Sequence, residues 1–562
     1  MEEKREYRDN DREALVGLTA VMLAAMFLAY SAAAVPLIDD WGYAWSVVHF
    51  LQTGTLRVVE LSSHYPVAQI LWGALWSQLF GFSFGILRLS TLLLAWAGLL
   101  AFYLTLRELA IRPLPASVGT IALLCNPVVF MLGNSFMTDA PFMSIMNGAL
   151  LWYARWTLRG RTQDLALGSG LAVVAFLIRQ PGATLALVPV AYLVLMRRLG
   201  GTRRVLPRSQ QLCLLVPFFG IGLTLGWIHA IHGETRVYRE RVEDLSFVLT
   251  TSGWIYLREL VHIVLYLGLV LWPLTWGIVT SLSLRALVWA TGVIAILCGP
   301  CLWHEGRLPE PLGQVLSWNE LGMGRTLIAG SIPDRPWLVW PQRVVLGISL
   351  TGAVVVVAAL VEGLRRWRQW VRGPATMLVL NGLGQLLLLH VLWLFYDRYY
   401  LPLLPGSTAL LVSYLSPTKR VTALILAGEL VWGTVAITGT IDMFRFSVAV
   451  LEARDWLLQQ GVAPQYIDAG YVLNGWYLYA PALPSGRGPE PDVPFITTKT
   501  PLPYKIANEP DPTYTVLRSM TLPVLWAVTD TIFVLEHGAI KEQRGLPSRL
   551  HEWTHPHLPE AR

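Results

Sequence analysis

Residues 14–40 read ALVGLTAVMLAAMFLAYSAAAVPLIDD. Positions 14–38 carry no charge, and the run ends directly on Asp39-Asp40. About 20 apolar residues in a helix cross a hydrocarbon core of roughly 30 Å. The stretch therefore reads as a membrane span that delivers a pair of carboxylates to one membrane surface. Its flank, MEEKREYRDNDRE, is highly charged and too long for the n-region of a secretory signal. No convincing small-residue cleavage site follows, so a retained span is expected.

Runs of the same kind follow at 89–106, 115–133, 140–154, 165–178, 181–196 and 211–231. Six more lie at 260–284, 286–303, 344–361, 374–396, 401–415 and 421–441. The expectation is an α-helical polytopic membrane protein with about 13 transmembrane helices. Segment 66–82 is apolar but short and interrupted, and reads as a re-entrant or interfacial helix. Composition agrees. Of 562 residues, 54% are apolar and 14% charged, and the mean hydropathy is +0.50. A soluble domain has about 25% charged residues, so an ordinary soluble enzyme, a disordered chain and a collagen-like chain are excluded. The net charge of +6 does not call for nucleic acid, because membrane proteins gather Lys and Arg on the cytoplasmic side. The four cysteines, Cys125, Cys213, Cys298 and Cys301, lie in apolar runs and do not read as a disulfide framework. Cys298-Gly-Pro-Cys301 has redox spacing, but its apolar context favours a structural role.

Charge asymmetry orients the spans. With the N-terminus inside, the inner loops hold 17 basic residues (Arg107, Arg155 and Arg197 among them) against three acids, Glu108, Asp164 and Glu362. The outer loops as far as Arg398 hold 12 basic and 14 acidic residues. This is the positive-inside pattern, and an odd number of spans then puts the tail outside. The tail changes character. Residues 448–460 have helical periodicity, and 466–469, 495–498 and 529–536 read as strands or buried edges. Two units are expected, a transmembrane domain over 1–440 and an extracytoplasmic soluble α/β domain over 441–562.

Polar groups at a membrane edge are informative because lipid makes them costly. Asp39 and Asp40 can supply a general base, or simply cap the following helix. Asp139 and Arg179 bound runs of only 15 and 14 uncharged residues, so both sit below the outer surface, where they would share a cavity. Here too capping by Thr138 or Asp139 is the bland alternative. His64-Tyr65-Pro66 lies in the first outer loop, and His229 and His232 close another span. Their spacing is not a metal-ligand motif. Tyr396-Asp397-Arg398-Tyr399-Tyr400 joins two spans at the outer face. Arg there suits phosphate through its planar donor fork, or snorkels within an aromatic belt.

The order of these pieces resembles the GT-C superfamily of membrane glycosyltransferases. They are DDWGYAWSVVHFLQTG at 39–54, SSHYPVAQILWGALWSQLFG at 62–81, ILRLSTLLLAWAGLLAFYLTLREL at 86–109, SFMTDAPF at 135–142 and YDRYYLPLLP at 396–405. The resemblance is to the branch containing the protein O-mannosyltransferases and the aminoarabinose lipid A transferases. It implies a GT-C fold and transfer of a sugar, with inversion, from a polyprenyl-phosphate carrier to an acceptor hydroxyl on the outer face. It matches Asp39 to the family's loop-one acid, Asp40 to its neighbour, Asp139 to the acid opening the fourth span and Arg398 to the arginine of the Arg-Tyr segment. The chain departs in having Gly42 where many members have Arg, and Ser63-His64-Tyr65-Pro66 where the aminoarabinose branch has Glu-Lys-Pro-Pro.

The expected catalytic residues are Asp39, Asp40 and Asp139, with Asp39 as base. The expected substrate-binding residues are His64, Tyr65, Arg179, Arg398, Tyr399 and Tyr400. Two arginines can balance a departing phosphate, so no metal or cofactor is expected to be required, with a divalent cation as the alternative. The partners implied are a lipid-linked sugar donor, a glycan, lipid or protein acceptor, and membrane lipid. The alternatives are a polysaccharide ligase or polymerase using a lipid carrier, and a lipid or sugar transporter. A transporter would carry polar residues through its spans, whereas ionisable groups here cluster at the outer edge, Glu429 being the main exception. The topology is checked by placing a cysteine at Ser485. It should react with an impermeant thiol reagent in intact cells, and labelling only after lysis would reverse the orientation.

Overall fold

The structure, a computed structural model, describes residues 2–31, 33–199, 206–240, 242–243, 253–309, 339–365, 373–391, 396–416, 418–479, 502–523, 525 and 531–543. The expected strand at 495–498 and Ser485 lie outside these residues. The first helix, α1 (Glu2–Ala29), begins inside the charged flank and stops well before residue 38. Next in the chain are α2 (Asp40–Thr53) and α3 (Val67–Phe80). The long helix α4 (Phe84–Glu108) follows. Next come α5 (Pro113–Leu124), α6 (Pro127–Gly133), α7 (Asp139–Arg159), α8 (Thr162–Ile178), α9 (Ala183–Arg198) and α10 (Arg208–Trp227). Beyond them lie α11 (Gly253–Val270), α12 (Trp272–Ile278), α13 (Leu284–Glu305), α14 (Val339–Arg365), α15 (Ala375–Val391) and α16 (Leu404–Val412).

Among the described residues, seven helices are long and apolar enough to cross a membrane, or eight if the bent pair α5–α6 is one span. The chain is a multi-pass membrane protein, but the expected count of about 13 is not reached by this measure. The shortfall has physical causes. Asn126 and Pro127 break the expected 115–133 span by 68°. The Asn126 side chain accepts from the amides of Val128 (3.0 Å) and Val129 (3.1 Å), which starts a new helix at Pro127. The expected 260–284 span is likewise split between α11 and α12. Others fall on helices of 16 or 17 residues.

The two ends of the bundle differ. At one end the basic loops take up the few acids. Arg107 pairs with Asp11 (2.6 Å), and Glu108 accepts from Arg155 (2.8 Å) and Arg159 (2.7 Å). The expected site residues gather at the other. Between the ends, helices approach closely at small residues, as is usual where lipid supplies no hydrophobic drive. Gly98 of α4 lies against the backbone of Ser144 in α7, and Gly168 of α8 against the ring of Tyr153.

The last membrane helix and the expected amphipathic helix at 448–460 are one element, α17 (Lys419–Gln459), which passes position 441 unbroken. Its 41 residues span about 62 Å, roughly twice the hydrocarbon thickness. Its far end joins a four-stranded sheet in the order β1-β2-β4-β3. The strands are β1 (Ile467–Asp468), β2 (Tyr504–Ala507), β3 (Thr515–Thr521) and β4 (Thr531–Glu536), with β1 parallel to β2 and the other pairs antiparallel. Ala449, Ala453 and Leu457 of α17 share a core with Ile467, Ile506, Ile532 and Val534. Between β1 and β2 lies the aromatic helix α18 (Gly470–Leu478).

Gly98→Leu should force α4 from α7 at a cost of about 1–3 kcal/mol. Thermal unfolding in detergent should show a lowered midpoint. Gly170→Ala, where a Cβ meets nothing within 4 Å, should leave it unchanged or slightly raised.

Candidate active site

The unwound stretch after α1 is held by one arginine. Arg88, fully buried in α4, donates to the carbonyls of Ser31 (3.1 Å), Ala33 (2.8 Å) and Val35. Ile38 then takes φ +54°, a left-handed conformation that a β-branched residue rarely adopts. The two aspartates that follow have different surroundings. Asp40 is fully buried, and accepts from the amides of Leu37 (2.6 Å) and Phe136 (3.3 Å). It ties the loop to the α6–α7 connection, so it does not enter the cleft. Burial pushes its carboxyl up to about 7, against the opposing pull of Arg88 and the two amides. Asp39 keeps 30% of its side chain exposed. Its Oδ2 accepts from Arg398 (2.9 Å) and its Oδ1 from the hydroxyl of Tyr471 (3.1 Å).

Asp139 opens α7 and is ion-paired with Arg179, the residue after the last turn of α8. The short span expected there is real, and its early end sinks Arg179 to 8% side-chain exposure. The two arginines converge. The guanidinium of Arg179 lies 4.7 Å from the centroid of the Tyr399 ring and that of Arg398 5.4 Å, both within cation–π range. Tyr399 and Arg398 come from a 3₁₀ turn, Asp397–Leu403. Burial opposes the charge on Arg398, but Tyr399, Asp39 and Asp139 outweigh it and hold its pKa well above the usual value. Asp139 Oδ2 and Arg398 Nε are buried with no hydrogen-bond partner among the described residues. Asp139, Arg179, Arg398 and Tyr399 line a cleft together with the apolar side chains of Phe142, Leu388 and Leu389.

His64 lies at the edge of this group. Its Nε2 is 3.3 Å from Tyr43 Oη and 3.2 Å from Thr138 Oγ1, while Thr138 also receives Arg179 (3.4 Å). Burial, and then the two arginines, keep the imidazole pKa well below its usual value, so it is neutral near pH 7. Tyr65 and Tyr400 point elsewhere. Tyr65 accepts from the Thr235 amide (2.7 Å) and donates to the Gly233 carbonyl (3.2 Å), pinning the segment before α3. Tyr400 packs against Tyr266 and His262 on α11. His232 accepts from the Val58 amide (3.0 Å) and His229 faces Glu234 (3.0 Å), so neither joins His64.

The structure thus brings together Asp39, His64, Asp139, Arg179, Arg398 and Tyr399, and leaves Asp40, Tyr65 and Tyr400 in the supporting framework. Sequence reasoning missed Tyr471 and the bracing role of Arg88. An arginine directly before the apolar run 89–106 was the available signal for Arg88. Nothing local singles out Tyr471.

No protein-family model matches the chain, and no curated protein matches it. Solved structures do. ArnT from Cupriavidus metallidurans bound to undecaprenyl phosphate is 15% identical, with 82% of this chain and 75% of that chain covered and a TM-score of 0.42. The archaeal oligosaccharyltransferase AglB from Archaeoglobus fulgidus, in complex with an inhibitory peptide and a dolichol-phosphate, is 13% identical over 86% of this chain and 61% of that one, with a TM-score of 0.43. The S. cerevisiae protein O-mannosyltransferase Pmt1-Pmt2 complex bound to the sugar donor is 16% identical over 39% of this chain, with a TM-score of 0.34. The chain spans 34% of that last protein's length. All three identities are below 25%, and all three TM-scores are below 0.5.

Asp40 carries a pH dependence. Its carboxyl binds a proton up to about pH 7 in the folded protein but only to its ordinary 3.8 when unfolded. The folded state therefore holds more protons between those values, and stability should fall as pH rises from about 4 to 7. Asp40→Asn should flatten that part of the curve in unfolding experiments across pH 4–8. An unchanged slope would mean Asp40 is ionised throughout.

Proposed function

We propose that the protein is a membrane glycosyltransferase that moves a sugar from a polyprenyl-phosphate carrier to an acceptor hydroxyl at the extracytoplasmic surface. The observation that carries this reading is the convergence of Arg179 and Arg398 on Tyr399, with Asp39 bound to Arg398, in a cleft also lined by apolar side chains. A sugar on a phosphate already has a leaving group. The enzyme must stabilise the charge on the departing phosphate and take a proton from the acceptor. Guanidinium groups do the first, and a carboxylate does the second.

In this scheme Asp39 accepts the acceptor proton as the acceptor oxygen attacks the anomeric carbon. The bond from that carbon to the phosphate oxygen breaks on the opposite face, giving inversion. Arg398 and Arg179 receive the phosphate, so the charge is balanced without a required metal. Neutral His64 can hydrogen-bond a sugar hydroxyl, and Tyr399 holds both guanidiniums in place. Phe142, Leu388 and Leu389 face the prenyl chain. Buried Asp40 supports the loop, and Asp139 orients Arg179. The C-terminal unit lies outside the cytoplasm.

Undecaprenyl phosphate serves as the binding probe. Arg398→Ala should weaken its binding at least about tenfold, since a hydrogen bond to a charged group contributes roughly 1.5–3 kcal/mol. Arg398→Lys should fall between alanine and wild type, because it keeps the charge but not the planar fork. Binding equal to wild type in both folded variants would remove the phosphate site from Arg398. Asp39→Asn should bind the probe no more weakly than wild type. It should slow transfer from membrane-extracted lipid-linked sugars by about 100- to 10,000-fold, and near-normal turnover would move the base elsewhere.

A further inference from the structure

The C-terminal unit reaches the site group at Asp39. Tyr471, the second residue of α18, donates to Asp39 Oδ1 at 3.1 Å across 432 positions of sequence. The docking that makes this contact is built. The Tyr471 ring meets Trp41 edge-on at 5.8 Å, and Tyr479 lies 5.7 Å from the same indole. Gly475 sits so close to Trp41 that any Cβ there would strike the ring. Tyr479 also accepts from the amide of Glu60 (3.2 Å). The helix turn is itself fixed, because Asn474 accepts from the Ala469 amide (2.9 Å) and donates to Asp468 (2.9 Å). Burial holds the Tyr471 hydroxyl well above its usual pKa, with Asp39 adding to the effect, so it remains a donor.

Asp39 is therefore held by both oxygens, and one of its partners, Arg398, is the group assigned above to the carrier phosphate. We propose that Tyr471 is a positioning residue for Asp39. Its hydroxyl partly satisfies the carboxylate, so that Arg398 can turn from Asp39 to the phosphate while Asp39 keeps its place. This rests on the phosphate reading of Arg398. The groups facing Asp39 are Arg398, Tyr471, Tyr43 and the neighbouring Asp40. Of these only Tyr471 belongs to the C-terminal unit, so the outer domain would take part in setting how readily the donor is taken up.

The test is a double-mutant cycle on the full-length protein in detergent, reading undecaprenyl phosphate affinity. Without the Tyr471 hydroxyl, Asp39 depends more on Arg398 and releases it less readily. Tyr471→Phe, which keeps the ring on Trp41, should weaken binding about three- to tenfold, within the usual range for coupled neighbours. Asp39→Asn should bind several-fold more tightly than wild type, because an amide holds the guanidinium less strongly. In the Asp39→Asn background, Tyr471→Phe should have no further effect. Tyr479→Phe, which loosens the same docking without touching Asp39, should bind as wild type. Equal weakening by Tyr471→Phe in both backgrounds would assign the effect to packing and overturn the proposal. So would a Tyr479→Phe loss as large, or wild-type binding by Tyr471→Phe. Arg398→Ala separates the two levels. Wild-type binding there overturns the phosphate reading and this inference with it, whereas its loss together with an uncoupled Tyr471 overturns this inference alone.

Discussion

Charge at the edge of an apolar bundle has to be partnered, and the site end of this protein is arranged around that requirement. Taking an ion out of water costs several kcal/mol even after relaxation, and removing one member of a buried pair leaves the other uncompensated. Each arginine there has its own solution. Arg88 takes three backbone carbonyls, Arg179 takes Asp139 and Arg398 takes Asp39. Local structure bends to supply these partners. Helix α1 stops at Ala29, so that the carbonyls of the next residues turn to Arg88 rather than to one another. Ile38 accepts a left-handed backbone, after which Asp39 turns to Arg398 and Asp40 turns inward. Helix α8 ends at Ile178, which leaves Arg179 beside Asp139 rather than at the surface.

The same penalty explains which parts were legible in the sequence. Asp39, Asp139, Arg179 and Arg398 stood out because a charge next to an apolar run needs a reason, and all four meet in the structure. A tyrosine carries no such penalty. Tyr65 and Tyr400 were expected in the site and Tyr471 was not, yet of the three only Tyr471 touches the acid, and its partner lies 432 residues away. Adjacent residues were equally hard to separate. Successive side chains in a 3₁₀ turn are about 120° apart, so Tyr399 meets the arginines while Tyr400 faces α11. Asp39 and Asp40 part for the same kind of reason. Apolar runs located the helices well and their breaks poorly. Hydropathy does not register an Asn-Pro helix start such as Asn126-Pro127, and among the described residues seven or eight helices, against about thirteen expected, are long and apolar enough to span. Of the sheet, β1 and β4 were visible, whereas β3 exposes most of its residues at an edge and has little pattern to read.

Helix α17 links the two kinds of structure. Its first half packs within the bundle and its second half is part of the core beneath the sheet. The sheet and α18 are thus carried on a rod rooted in the membrane, which suits a contact as demanding as Tyr471 on Asp39. One feature of α17 stands apart from the site. Glu429, buried within the bundle, has neither carboxyl oxygen bonded among the described residues.

The charge balance of the cleft bears on what it can select. Two guanidiniums face two carboxylates, so the resting site offers an anion little net attraction at a distance. A phosphate gains only by exchanging places with a carboxylate, and the hydrogen bonds it makes largely replace those it breaks. Affinity has to come from elsewhere, and the apolar wall of Phe142, Leu388 and Leu389 is the available source. Apolar burial is worth roughly 25 cal/mol per Å², so a prenyl segment laid on that wall supplies binding free energy that a free sugar phosphate lacks. In the proposed reading the lipid tail holds the donor and the arginines set its register, and a charge-balanced site beside apolar residues favours lipid-linked phosphate over the soluble sugar phosphates that share its headgroup.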